Sequence, residues 1–504
     1  MRLLAPLVAL LALLAASWSL WNLTAAESGV AIDRDRVGAT PVSVFRPAEG
    51  GPAPVVLVAH GFAGSRPLMR AYATTLARNG YIAVTYDFLG HGRHPEPLTG
   101  DVTTEEGATQ RLLDQTETVA AWARALPGGD GRMAILGHSM AADIIVRFAI
   151  AHPETATVIP VSMFSPVVDG EQPANMLIIA GEWEPFLVDE ALRVLRLFAG
   201  PEAEPGATYG DPAGDRARRV EIAPNVEHIG VLYSPAAMAA ARDWLNAVFQ
   251  HAGAGYADAR GPYVLTLILA LAALGWPLSR FLPTAVSPPR GAALRGRTFW
   301  IAALAPAAAT PLALTALDIS FLPVIVGDYL AMHFALYGAL TGAALWTYTR
   351  LRAPGPKADR KALGLAAAAV AAYALIAIGR PIDAYVSNFT PIPARLPLIG
   401  ALLLGALPYF MADEWLTRGE GAPRWSYFAT KILFLASLAA ATALNLERLF
   451  FLIILTPALI LFFLVFGLFS GWAYRATGHP FVGAFANALV FAVAIGVTFP
   501  MVAG

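Results

Sequence analysis

Apolar positions along this chain fall into three stretches of different rhythm. Residues 3–21 are a nearly unbroken apolar run behind Met1 and Arg2, long enough to span a bilayer, where about 20 residues are needed. Between about 40 and 250, short β-rich runs alternate with longer helical patterns, the signature of a parallel sheet with crossover helices. The expected strands are 42–45, 54–59, 81–86, 133–137, 158–164, 176–180 and 220–223. Helical patterns cover 109–125, 140–151 and 185–198, and a last one over 236–249 closes the unit. A small-residue linker, 251–261, follows. Beyond it the chain is almost wholly apolar, with spans near 262–279, 299–317, 323–347, 362–379, 396–412, 427–444, 449–472 and 481–501. Pro283, Pro306, Pro311, Pro408 and Pro457 break these runs, which membrane helices tolerate when neighbours satisfy the freed carbonyls. The pattern predicts a membrane segment over 1–25, an α/β domain over 40–250 and an all-α polytopic transmembrane domain over 262–504.

Composition sharpens this picture. The chain of 504 residues is 57% hydrophobic and 14% charged, against roughly 25% charged in soluble domains. So much apolar surface implies lipid contact. A net charge of −1 gives no sign of a nucleic-acid partner. The absence of cysteine excludes disulfides, thiolate metal sites and cysteine nucleophiles. The first segment ends in Thr24-Ala25-Ala26, which would suit a cleaved signal peptide, but its length and Trp18 and Trp21 near its end favour an uncleaved anchor.

Orientation follows from the Lys/Arg bias of the loops. With Arg2 inside, the 40–250 domain lies outside. The inner loops then hold Arg280, Arg290, Arg295 and Arg297; Arg350, Arg352, Lys357, Arg360 and Lys361; Arg418 and Arg424; and Arg475. The outer ones hold no cation around Asp318, then Arg380 with Arg395, then Arg448. An extracytoplasmic 40–250 domain is expected, periplasmic in a bacterium, on a multi-pass inner-membrane protein.

The chemistry centres on Gly137-His138-Ser139-Met140-Ala141, between an expected strand and helix. A sharp strand–turn–helix junction lifts a serine hydroxyl above the sheet and needs small flanking residues. His60-Gly61-Phe62-Ala63-Gly64-Ser65 follows the strand 54–59, and Asp87-Phe88-Leu89-Gly90-His91-Gly92 follows 81–86; turn formation suffices to explain the latter. Gly181-Glu182-Trp183-Glu184-Pro185 follows 176–180, and Asn225-Val226-Glu227-His228-Ile229-Gly230 follows 220–223. The order serine, acid, histidine, with strands between them, is that of a strand-borne hydrolase triad.

Together these segments resemble the α/β-hydrolase superfamily, with the nearest likeness to its dienelactone-hydrolase-like and serine-aminopeptidase-like branches. The likeness covers about residues 40–250. It implies a mostly parallel sheet, Ser139 as nucleophile, His228 as base, and no cofactor or metal. It also implies backbone oxyanion donors at Phe62 and Met140. An acid three residues past the strand-ending glycine selects Glu184, with Glu182 and Asp169 as competitors. Ala141 replaces the usual final glycine, and a glutamate replaces the commoner aspartate. The strict dienelactone hydrolases use a cysteine nucleophile, and this chain has none.

In the apolar half, Asp413-Glu414-Trp415-Leu416-Thr417-Arg418 resembles the first motif of the CAAX-protease-like intramembrane family. Residues 477–488 resemble its last, with Asn487 where histidine is expected. Without imidazoles a metal site is not expected, and Asp413, Glu414 and Arg418 read as ion pairs at a helix end. The expected function is membrane-tethered hydrolysis of carboxylic esters, small or lipid-linked, with the bilayer as partner. A peptidase of the same fold, or a sensor or transport component with a relic hydrolase domain, are the alternatives.

Overall fold

A computed structural model describes residues 4–100, 105–317, 319–350 and 355–503; Arg2, Leu3, Asp318 and Arg352, which enter the span and charge arguments, lie outside the described residues. The chain forms two compact units. One comprises Ser17–Leu267 together with Ile382–Asn388 and Pro500–Gly504; the other comprises Met1–Ala16, Ile268–Pro381 and Phe389–Phe499.

The first unit is built on strands β1 (Val30–Val37), β2 (Thr40–Pro47), β3 (Ala53–Ala59), β4 (Ile82–Tyr86), β5 (Leu98–Thr99), β6 (Gly129–His138), β7 (Val158–Val161), β8 (Asn175–Gly181), β9 (Thr208–Asp211), β10 (Arg216–Ala223) and β11 (Val502–Ala503). Nine of them make one sheet in the order β1-β2-β4-β3-β6-β7-β8-β10-β9. The run from β4 to β10 is parallel, while β1, β2 and β9 add antiparallel edges. β5 and β11 pair separately, in parallel.

Central strands β3, β4, β7 and β8 are buried at every position, and mostly apolar, because both faces are covered. In β3, Val55, Leu57 and Ala59 face a core with the helices Gln110–Arg124, Met140–Ala151 and Pro185–Ala199. Val56 and Val58 face a second core with Arg70–Arg78 and Pro235–Phe249. The result is an α/β three-layer unit whose strand ends carry the loops singled out above. β7 stops at Val161, short of the expected 164, because Ser162 takes a left-handed conformation (φ 55°).

The second unit is helical. Among the described residues, eight helices of the chain are long and apolar enough to cross a membrane: Leu4–Ala26, Gly261–Ser279, Gly296–Thr315, Arg360–Tyr385, Pro393–Thr417, Ser426–Leu444, Phe451–Thr477 and Phe481–Thr498. The expected span at 323–347 forms the helix Gly327–Thr349, which is not among the eight; Asp328, His333 and its tyrosines and threonines dilute its apolar character. It packs closely on Leu396–Thr417, since a Cβ at Gly338 would overlap the backbone of Tyr409 and one at Gly405 that of Ala331. Small residues let membrane helices approach in this way. Glu414 pairs with Arg418 at 3.0 Å, and Asp413 pairs with Lys431 of the following helix. Asn487 donates to the Phe466 carbonyl at 3.5 Å.

Candidate active site

The site grows out of the C-terminal ends of the parallel strands. β6 ends at His138, the helix Met140–Ala151 begins one residue later, and Ser139 bridges them at φ 55°, ψ −116°. A non-glycine residue at positive φ is strained, so neighbours must hold it. The Ser139 amide donates to the Val161 carbonyl at 2.9 Å, and its carbonyl accepts from the Ala142 amide at 2.8 Å. A Cβ at Gly137 would lie 3.0 Å from the Ala141 carbonyl oxygen and 3.1 Å from the Ala141 methyl. The turn therefore accommodates alanine at 141 because 137 is glycine.

His228 stands in the loop after β10. Its Nε2 lies 2.8 Å from Ser139 Oγ, and its Nδ1 lies 2.6 Å from Glu184 Oε1. The acid loop and the histidine loop are tied together, Trp183 N–H donating to the Val226 carbonyl and Glu182 N–H to that of Ala223. Glu227 caps the turn after the histidine by accepting from the amides of Ile229 and Gly230.

Of the three candidate acids, Glu184 is the one brought to His228. Its second oxygen accepts from the Gly181 amide and the Ser162 hydroxyl, each at 2.7 Å. Burial pushes this carboxyl up, but bonds from His228, Ser162 and Gly181, with the histidine's charge, together hold it below the ordinary carboxylate range. Glu182 instead accepts from the Asn225 amide, and Asp169 from the amides of Glu171 and Gln172 in an exposed turn.

Two residues beside the three were not singled out in the sequence. Ser162 donates to Glu184 and left no trace in the sequence, where the expected strand 158–164 runs through it. His138 brings its Nε2 to 2.8 Å from the carbonyl of His228 and packs its ring 4.8 Å away. Burial, then the nearby His228 charge, lower the His138 pKa to about 3; it stays neutral and so donates a single N–H, at Nε2. Its Nδ1 is buried without a partner.

On the other side of Ser139 runs the loop after β3. A Cβ at Gly61 would lie 3.0 Å from the Ser139 Cβ, so only glycine lets this loop approach, and Phe62 follows directly. Met140 is the first residue of the helix after Ser139, where backbone amides lack intrahelical partners. His60 is fully buried; its Nδ1 bonds the Gly61 carbonyl at 2.8 Å and its Nε2 accepts from the Phe88 amide at 3.1 Å. Asp87, read as a turn former, is buried and accepts from the amides of Arg66 and Arg93 and from the Arg66 guanidinium.

An exposed apolar rim surrounds the acid and the histidine. Phe164 and Phe186 stack at 5.8 Å and are 53% and 67% exposed, with Trp183 and Ile229 also exposed. The arrangement can activate a hydroxyl beside a water-accessible apolar surface.

Sheet order, crossover helices and the serine-bearing turn define an α/β-hydrolase domain. Residues 50–197 match the family described as serine aminopeptidase, S33. Similar solved structures include a dienelactone hydrolase from Anabaena variabilis (18% identity, 44% of this chain and 98% of that one, TM-score 0.32). A CIB-like hydrolase from Thermoplasma acidophilum (15% identity, 43% and 99%, TM-score 0.34) and a membrane phospholipase A described as a bacterial virulence factor (16% identity, 49% and 99%, TM-score 0.32) are also similar. No curated protein matches the chain.

Proposed function

We propose that this protein is a membrane-tethered serine hydrolase that cleaves carboxylic esters outside the cytoplasm through an acyl-enzyme. The observation that carries the reading is the chain of short hydrogen bonds from Ser139 through His228 to Glu184. Ser139 Oγ attacks the ester carbonyl while His228 Nε2 takes its proton, giving a tetrahedral oxyanion. Backbone N–H groups of Phe62 and Met140 stabilise that charge. His228 returns the proton to the leaving alkoxide, and water repeats the sequence to free the acid. Glu184 keeps the imidazole in the useful tautomer and balances its positive charge.

The apolar rim of Phe164, Trp183, Phe186 and Ile229 supports an acyl chain, and so a lipid or lipid-linked substrate. Clustered Arg and Lys in alternate loops support the extracytoplasmic orientation. A peptidase reading rests on the family description of residues 50–197. Comparing aminoacyl-amide with acyl-ester turnover by the full-length protein separates the two.

A fluorophosphonate should label the wild type, fail to label Ser139→Ala and label His228→Ala much more slowly. Equal labelling of wild type and Ser139→Ala would overturn the assignment.

A further inference from the structure

We infer that Ile382–Asn388, the last turn of the apolar helix Arg360–Tyr385 and the three residues after it, is a positioning strap for the oxyanion loop of the hydrolase. This deepens the serine-hydrolase reading and rests on it. Although 114 residues separate it from Leu267, the segment belongs to the catalytic unit in space.

The contacts are specific. The Asn388 amide donates to Ser65 Oγ at 2.7 Å, and Ser387 Oγ lies 3.1 Å from the same atom. Ser65 and Asn388 are both buried. Arg93 gives its Nε to Asn388 Oδ1 and one terminal nitrogen to Asp383, each at 2.6 Å. The Arg93 amide in turn donates to Asp87, which also holds the Arg66 amide at 2.8 Å. At the other side, Tyr233 donates its hydroxyl to the Tyr385 carbonyl at 2.9 Å. Tyr233 ends the turn that follows His228.

Consider what lies between these ties. The loop runs from His60, locked by Phe88 and Gly61, to Ser65 and Arg66. Within it Ala63 sits at φ 55°, a conformation disfavoured for alanine that persists only if both ends are held. Phe62, the proposed oxyanion donor, is the residue before it. Ser65 is gripped by the strap and Arg66 by Asp87, and the strap also orients Arg93 on Asp87. Releasing the strap therefore frees one end of a strained loop. An oxyanion donor acts through placement fixed before the charge develops, and a shift of about 1 Å costs roughly a hundredfold. The strap does not touch the reacting atoms, so its effect falls on the transition state rather than on substrate binding.

The test uses the full-length protein in lipid nanodiscs, with Asp383→Ala/Ser387→Ala/Asn388→Pro, which removes both Arg93 contacts, the Ser387 hydroxyl and the Asn388 N–H on Ser65 and leaves every residue of 40–250 intact. On p-nitrophenyl butyrate, kcat should fall by about tenfold to a hundredfold with KM changed by less than about twofold. Asn388→Asp, which keeps an oxygen for Arg93, should retain most of the wild-type kcat. Hydrogen exchange at 60–66 should quicken in the triple variant. An unchanged kcat, or a parallel loss of kcat, KM and thermal stability that Asn388→Asp shares, would overturn the inference. Exchange keeps the two readings apart. If 60–66 loosens but the wild type takes no fluorophosphonate, the strap stands and the hydrolase reading falls. If exchange at 60–66 does not move, the strap is refuted whatever the activity.

Discussion

A serine hydroxyl is a weak nucleophile at neutral pH, so the proposed role of Ser139 requires its neighbours to supply both a base and a reason for that base to be oriented. Glu184 would do the second through three contacts, two of which, from Ser162 Oγ and Gly181 N–H, fix it independently of His228. Glu184→Gln presents a neutral amide that cannot stabilise an imidazolium, and kcat should drop by roughly a thousandfold or more. Glu182→Gln and Asp169→Asn should stay within about threefold, because each carboxylate serves a local turn. Ester turnover by the three purified variants decides between them. A second consequence concerns acid stability. The Glu184 pKa is depressed in the folded protein, so the stabilisation it gives is complete above its unfolded value and is lost as pH falls through the folded one. The gap in thermal stability between wild type and Glu184→Gln should thus narrow as pH is lowered from 7 towards and below 4. The spacing from a strand-ending glycine pointed to Glu184 in the sequence. Ser162 and His138 gave no such signal, because their roles come from side chains brought across by other strands.

At the scale of elements, loops after successive parallel strands converge on one edge of the sheet, so functional side chains distant in sequence meet there. The same convergence gathers Phe164 from the loop after β7, Trp183 and Phe186 from that after β8, and Ile229 from that after β10. If an acyl chain rests on this rim, each methylene withdrawn from water contributes about 0.8 kcal/mol. Phe164→Ala/Phe186→Ala should therefore lower kcat/KM for octanoyl esters by about tenfold relative to acetyl esters, leaving acetyl ester turnover nearly unchanged. A chain-length series on both proteins measures this, and an unaltered profile would remove the rim from substrate recognition. Buried strands were legible because coverage on both faces makes them short continuous apolar runs. β1 was not, since an edge strand reading Asp33-Arg34-Asp35-Arg36 at its centre carries no apolar alternation. The helix Arg70–Arg78 was missed for a related reason: its buried face is made of alanines, threonines and a tyrosine as much as leucine, which gives a faint period. β5 and β11 join residues about 400 apart through two-residue strands, and nothing local in either segment announces the pairing.

The whole molecule adds a constraint that neither loops nor helices carry alone. The hydrolase sequence, Ile382–Asn388 and the tail with β11 form one compact unit, so if the apolar helices cross a membrane, all three are expected on one side of it. From Phe389 to Phe499 the chain offers four apolar helices, Pro393–Thr417, Ser426–Leu444, Phe451–Thr477 and Phe481–Thr498, an even number that returns the tail to the side of the strap. From Leu267 to Ile382, among the described residues, only Gly261–Ser279, Gly296–Thr315 and Arg360–Tyr385 meet the apolar criterion, an odd number that would part strap from hydrolase. Parity is restored if Gly327–Thr349 also crosses. Its polar side chains then face the bundle rather than lipid, as His333 does by pairing with Ser437, and intramembrane polar groups are generally placed so. This count agrees with the orientation proposed from the Lys/Arg bias, in which the loops beginning at Arg280, Arg350 and Arg418 would lie inside. Reporters active only after export, fused in the full-length chain near Gly253, near Leu322 and near Ser387, should all be active. Fusions near Arg295, Lys357 and Arg424 should be silent. If Gly327–Thr349 does not cross, the fusions near Lys357 and Ser387 exchange behaviour, and a strap on the opposite side from the hydrolase could not hold Ser65.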